Sequence, residues 1–299
     1  MAPRLSFIQM FHHSIKAWWE DNALRLGASL SFYTVFAIAP VLLVSIAIAG
    51  LVFGAEAVRG ELVGQMDDLV GRDGAQAVQA LLEGASKRQS GVFATLVGTM
   101  TLLLAATGAF LELQAAFNAI WRVKPNPDAN LRAYAAARLR SFGIVVAIGF
   151  LLLVSLVISA ALSAFNDWLG RRAPGWPVLW QALNILVSFL VTTALFALLF
   201  KFLPDVKLFW RDVVTGAIVT SVLFTAGKHL IGLYLGQSST ASSYGAAGSV
   251  ILLLLWVYYS SQILLLGAEF TRIYSAAHGD RPRPETFAER DPRSAIKAT

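Results

Sequence analysis

The sequence predicts an all-α, polytopic membrane protein with six transmembrane helices, an amino-terminal interfacial helix and an amphipathic helical hairpin between the first two spans. Three observations carry this. The 299 residues are 57% hydrophobic and only 14% charged, with a mean hydropathy of +0.63, too little charge to cover a soluble globule of this size. Several charge-free runs each reach the roughly 20 residues that cross a hydrocarbon core of about 30 Å. Lysine and arginine are divided unevenly between alternate loops, as the positive-inside rule requires.

The run from Ser242 to Tyr274 organises the chain. It opens on Gly245, Ala246, Ala247 and Gly248, continues without charge through Trp256, Tyr258 and Tyr259, and closes at Glu269 and Arg272. Ahead of it, Ile8, Phe11, Ile15 and Trp19 recur at helical spacing with Lys16 and Glu20 among the polar positions, which predicts a helix lying on the membrane surface. The first span covers about 28–53 and contains Pro40, which removes a backbone hydrogen bond and serves either as a hinge or in packing.

Residues 54–91 form a polar excursion. Its apolar positions (Leu62, Val63, Met66, Leu69, Val70, then Val78, Leu81, Leu82) repeat at helical spacing on either side of Gly71 and Gly74, a hairpin outside the membrane core. Further spans are expected near 92–120, 141–164, 179–202, 213–235 and 247–273. Seventeen lysines and arginines lie on the side of both termini against six on the other, which places both termini in the cytoplasm. The membrane domain runs over 1–275. Residues 276–299, rich in Arg, Pro and Asp, are expected to be a disordered cytoplasmic tail.

Ionisable residues inside spans are functional candidates because charge in lipid is costly. Lys228 follows Ser221 and Thr225 and precedes Gly232, making one small and polar stripe down the fifth span. The stripe reads as a cavity wall that attracts an anionic group, or as a lysine snorkelling to the interface. Glu112 lies behind Thr101, Ala105 and Gly108 at the same spacing; it lines the same cavity, or is hydrogen-bonded near the cytoplasmic end or paired with a loop arginine. Glu269 and Arg272 stand three apart, a spacing that favours a structural pair. Gly245 and Gly248 suit close helix packing or a backbone-lined pathway.

Enzymatic chemistry finds no support. There are no cysteines, and His12, His13, His229 and His278 form no metal-binding pattern with carboxylates. His229 points about 100° away from Lys228 on a helix, which argues against a joint proton relay. No Walker-type loop occurs, so no cofactor is expected and uphill transport would draw on an ion gradient or a partner protein.

The segments GLYLG (232–236), YGAAGS (244–249), LLLWVYYSSQILLLGAE (253–269), FLPD (202–205) and WRD (210–212) resemble, in order and spacing, the YihY/BrkB family of bacterial inner-membrane proteins. LSFYTVFAIAP (30–40) is similar to that family's first-span segment but has Ala37 where serine is common and Ala39 where a first proline often stands. The resemblance covers about 20–275 and implies an inner-membrane protein with six spans, cytoplasmic termini and an outer helical excursion. Members have carried the label ribonuclease BN. Others are linked with serum resistance or regarded as envelope-lipid transporters. A ribonuclease needs a metal or acid/base constellation that this sequence lacks, and its basic loops are what topology alone demands. The expected partners are therefore membrane lipids, with a second copy or an envelope protein as further possibilities, and not nucleic acid. Two functions follow: a transporter or flippase-like protein for an amphipathic, anionic lipid or envelope molecule, and a non-transporting scaffold.

Overall fold

The computed structural model describes residues 6–54, 60, 74–84, 92–126, 139, 143, 177–237, 248–278 and 282–291. Helix α1 (Phe7–Glu20) starts at a capping box: the Ser6 hydroxyl accepts from Gln9 N (3.3 Å) and the Gln9 side chain accepts from Ser6 N (2.9 Å). Asn22, in the left-handed region at φ 54°, turns the chain into α2 (Ala23–Phe53). Helical residues 74–84 are α3. They are followed by α4 (Val92–Trp121), α5 (Pro177–Phe202), α6 (Trp210–Gln237) and α7 (Gly248–Ala277).

The sequence expectation of α7 as the organising element matches its position. It packs against α1, α2, α4 and α6, while α5 packs on α6. α1 buries Met10, Ser14 and Ala17 and sets Phe7 5.4 Å from the Phe270 ring, leaving Ile8, Ile15 and Trp19 turned outward. α2 continues as helix through Pro40, whose side chain is buried.

Three helices are long and apolar enough to cross a membrane, at Ala23–Leu43, Ile185–Phe202 and Val250–Ala277, where the sequence analysis expects six. The difference follows the described residues: the expected span at 141–164 lies almost entirely outside them, and the side chains of 92–103 in α4 and of 229 and 232–237 in α6 also lie outside them, so the expected spans at 92–120 and 213–235 are described only in part. What is described is an α-helical bundle with several long apolar helices.

The main core sits at one end of the bundle, where α2 begins and α4, α5 and α7 finish. Phe117, Ile120, Trp121, Phe200, Leu203, Val213 and Leu265 are buried there together. A second cluster joins Ala77 and Val78 of α3 to Val35, Leu253 and Val257. Helix α3 therefore packs onto α2 and α7 through its apolar face. Residues 54–73 of the expected hairpin are, apart from 54 and 60, outside the described residues.

The segment 282–291 departs from the expected disordered tail. β1 (Val123–Pro125) pairs antiparallel with β4 (Ala288–Arg290), and β2 (Val206–Lys207) with β3 (Arg283–Pro284). Phe287 and Ala288 are buried, Lys124 pairs with Glu289 at 3.1 Å, and Asp291 N donates to Arg122 O. The segment thus ties the connection after α4 to the connection after α5. Residues 292–299 lie outside the described residues.

Candidate functional site

The polar stripe on α6 turns its Ser221 end inward. Ser221 is fully buried, and its hydroxyl makes no hydrogen bond among the described residues. Thr225 and Lys228, one and two turns further on, are half-buried, and Gly232 continues the same helix. The stripe is thus buried at Ser221 and partly exposed at Thr225 and Lys228, in an otherwise apolar bundle where unpaired polar groups are costly.

Glu112 is half-buried on α4. α4 packs on α2 and α7, and α6 packs on α5 and α7. No described contact brings the two together. Pro40 is buried within α2, Gly248 is buried at the start of α7, and Gly245 and the side chain of His229 are outside the described residues.

Glu269 and Arg272 form the pair their spacing suggests, with Arg272 Nη2 and Nε donating to Glu269 Oε2 at 2.7 and 3.0 Å. Two partners escaped the sequence reading. Asp21 Oδ2 lies 3.9 Å from Arg272 Nη2 and 3.7 Å from Arg122 Nη2, so the turn before α2, the end of α4 and the end of α7 meet in one ionic cluster. Glu269 is fully buried, and burying an ion this deeply is tolerable only with such a partner.

A second polar knot holds α4 to the connection after α5. The Asp205 carboxylate accepts from Gln114 Nε2 (2.9 Å) and Asn118 Nδ2 (2.7 Å), and Asp205 N donates to Asn118 Oδ1 (2.9 Å). All three residues are buried. The only signal available in sequence was FLPD, of which Asp205 is the last residue; the amides four apart on α4 look like ordinary helix-end polars. Asp212, the last residue of WRD, is also fully buried, with Arg211 Nε at 3.5 Å.

α6 and α7 approach through glycines. The Thr271 side chain occupies the space a methyl on Gly216 would need, and Thr220 does the same at Gly267. Gln262 fills the space beside Gly27 of α2. Among the described residues, no group of three or more His, Cys, Asp or Glu side chains is placed to hold a metal ion.

The family model described as Virulence factor BrkB matches residues 14–291. The chain is 28% identical over 269 residues to UPF0761 membrane protein RSc1559 of Ralstonia nicotianae, covering 89% of this chain and 58% of the relative. It is 31% identical over 263 residues to UPF0761 membrane protein Mpe_A1422 of Methylibium petroleiphilum, covering 83% and 58%, and 26% identical over 255 residues to UPF0761 membrane protein PsycPRwf_0630 of a Psychrobacter strain, covering 84% and 46%. The chain thus spans about half the length of the curated relatives it matches. No solved structure matches. A match from residue 14 to residue 291, spanning the helical bundle and the paired segment that closes its end, means that the chain belongs to the YihY/BrkB (UPF0761) family of bacterial membrane proteins.

Proposed function

We propose that the chain is an inner-membrane transporter or flippase-like protein for an amphipathic, anionic lipid or envelope molecule. In this reading it has six spans, the sixth supplied by residues 141–164, and both termini in the cytoplasm. The observation that carries the proposal is the Ser221–Thr225–Lys228 track: a buried hydroxyl without a partner among the described residues leads to an ammonium group inside a long membrane helix. An anionic headgroup moving along this track would meet a cation and hydroxyl donors while its acyl chains stay in lipid. Lys228 is the cation of this pathway in this reading, and Glu112 of α4 is a further candidate to line it.

A scaffold is the second reading, and one observation favours it. α3 is anchored by Ala77 and Val78 while Gln76, Gln79 and Glu83 are exposed, a polar face presented by a firmly seated helix. The two readings part in a scrambling assay with fluorescent anionic lipid in liposomes. A transporter loses activity with Lys228→Ala while its melting temperature holds. Wild-type protein that fails to move any lipid, together with loss of an envelope partner when the exposed face of α3 is changed, would favour the scaffold.

A further inference from the structure

Glu269 is fully buried, yet only one of its carboxylate oxygens is used. Oε2 accepts from Arg272 Nη2 and Nε at 2.7 and 3.0 Å, while Oε1 is buried and makes no hydrogen bond to a described residue. Asp21 is in a similar position. Its Oδ2 is buried without a hydrogen bond and stands at ion-pair distance from two guanidinium groups, 3.9 Å from Arg272 Nη2 and 3.7 Å from Arg122 Nη2. One nitrogen, Arg272 Nη2, is thus shared between two carboxylates at unequal distances.

Arg272 and Asp21 are the charged groups that bear on Glu269, and Arg122 acts through Asp21. Among the described residues, the helices packed on α7 add no further charge on this side. The buried face of α1 is Met10, Ser14 and Ala17, with Lys16 and Glu20 paired in solvent, and Arg25 of α2 is exposed. Glu112 of α4 stands about three turns before Arg122. α6 meets α7 at Gly267 and Thr271, each about 160° round the helix from Glu269, so its buried Asp212 belongs to another face. A buried oxygen without a donor is costly, and two carboxylates around one cation relieve that cost by taking up a proton. A metal ion fits poorly, because guanidinium groups already lie against both carboxylates.

We propose that Glu269, together with Asp21, is a proton-binding site in which Arg272 changes partner on loading. The proton bonds to Glu269 Oε1, and no covalent bond breaks. The new O–H needs an acceptor, and Asp21 Oδ2 is one in the same cluster that makes no hydrogen bond. Glu269 Oε2 becomes a neutral oxygen, so Arg272 Nη2 is drawn to the charged Asp21. Asp21 ends α1, its N–H donating to Ala17 O, and is followed by the left-handed Asn22 that turns the chain into α2. Loading therefore tightens the turn between α1 and α2 onto α7. Within the transport reading, on which this last step rests, the proton is the ion whose gradient drives transport. The proton site itself stands without that reading.

The test uses the full-length chain in nanodiscs, with the proton itself as probe, read as the C=O band of a protonated carboxyl in infrared pH-difference spectra. Wild type is expected to gain a band near neutral pH that Glu269→Gln lacks. Glutamine keeps an oxygen for Arg272, and circular dichroism checks that the variant folds. Asp21→Asn removes the like charge and frees Arg272 for Glu269, so loading should move to lower pH by about one unit. Arg122→Gln leaves the Asp21 charge less compensated and should move loading the other way. No such band, a band that survives Glu269→Gln, or shifts of one sign in both other variants would overturn the proton site and leave the transport reading standing. Movement of anionic lipid in liposomes under an imposed pH gradient then tests the coupling. Movement that follows the gradient in wild type and not in Glu269→Gln supports it. Movement in wild type that ignores the gradient would overturn the coupling alone, and a titrating band in a protein that moves no lipid would overturn the transport reading while the site remains.

Discussion

The side chain of Thr271 in α7 lies over Gly216 in α6, in the place a methyl group would take. The relationship is repeated in reverse by Thr220 over Gly267, and each threonine donates its hydroxyl to the carbonyl of the glycine four residues earlier in its own helix. Gly216-x-x-x-Thr220 and Gly267-x-x-x-Thr271 thus form a reciprocal lock between antiparallel helices. Small residues let the backbones approach, and the self-bonded hydroxyls enter the contact without needing polar partners across it.

The first prediction follows from that lock. Gly216→Ala or Gly267→Ala forces a β-branched side chain, already fixed by its own hydrogen bond, to move, and overpacking of this kind costs about 1–3 kcal/mol. Thermal unfolding in detergent should show a lower midpoint for both. Gly60→Ala, where nothing lies within 4 Å, is the control and should melt like wild type. Equal melting of all three variants would mean that the helices do not meet at these glycines.

The Asp205 knot gives the second. Asp205→Ala removes the acceptor for two buried amides, Gln114 Nε2 and Asn118 Nδ2, and each orphaned donor costs about 1–3 kcal/mol. Asp205→Asn keeps one acceptor oxygen and should cost less. Midpoints of unfolding in the order wild type, Asn, Ala would confirm the sequence of costs. An Ala variant as stable as the Asn variant would show that the carboxylate's two bonds are not both formed.

These two cases mark what could be read from the chain and what could not. The central position of α7 was legible because a charge-free run bounded by small residues and by Glu269 has a single physical use. The Glu269–Arg272 pair was legible because i, i+3 spacing is local. Asp205 was not, because its partners are about ninety residues away and each amide alone looks like an ordinary helix-end polar group. The pairing of segment 282–291 is not legible in sequence for a related reason. Its Arg, Pro and Glu content lacks apolar residues for a core of its own, and its order comes from pairing with Val123–Pro125 and Val206–Lys207, far off in sequence. Nothing in the sequence singles out Asp21, although two arginines converge on it, because both lie far along the chain.

The ionic cluster yields the third prediction, through an asymmetry. Arg272→Ala leaves Glu269 buried without its closest cation, and breaking a buried pair from one side costs about 3–5 kcal/mol. The double change Glu269→Gln with Arg272→Gln leaves two neutral amides able to bond each other and should be milder. Expression level and unfolding midpoint would both report the order. A double variant less stable than Arg272→Ala would mean that the Glu269–Arg272 pair is not what makes Arg272 matter at this end of α7, its contact with Asp21 being the other candidate.

The last prediction concerns the carboxy-terminal pairing and exploits the absence of cysteine from the chain. Val123 and Arg290 are directly opposed in the β1–β4 pair. The neighbouring bonds, from Asp291 N to Arg122 O and from Asn126 N to Phe287 O, make the Val123–Arg290 pair one that exchanges no hydrogen bonds of its own. Such pairs stand about 4.5 Å apart at Cα, within the range a disulfide spans. Val123→Cys with Arg290→Cys should therefore cross-link within one chain under mild oxidation, seen as a reducible mobility shift, while Val123→Cys with Arg283→Cys should not. The lysine–glutamate pairs that flank the ribbon, Lys124–Glu289 and Lys207–Glu285, are partly exposed and each contribute little, so the buried Phe287 and Ala288 must hold the segment down. Phe287→Ser should then slow the cross-link even though every ion pair remains available. Unchanged cross-linking in that variant would assign the holding force to the backbone pairing alone.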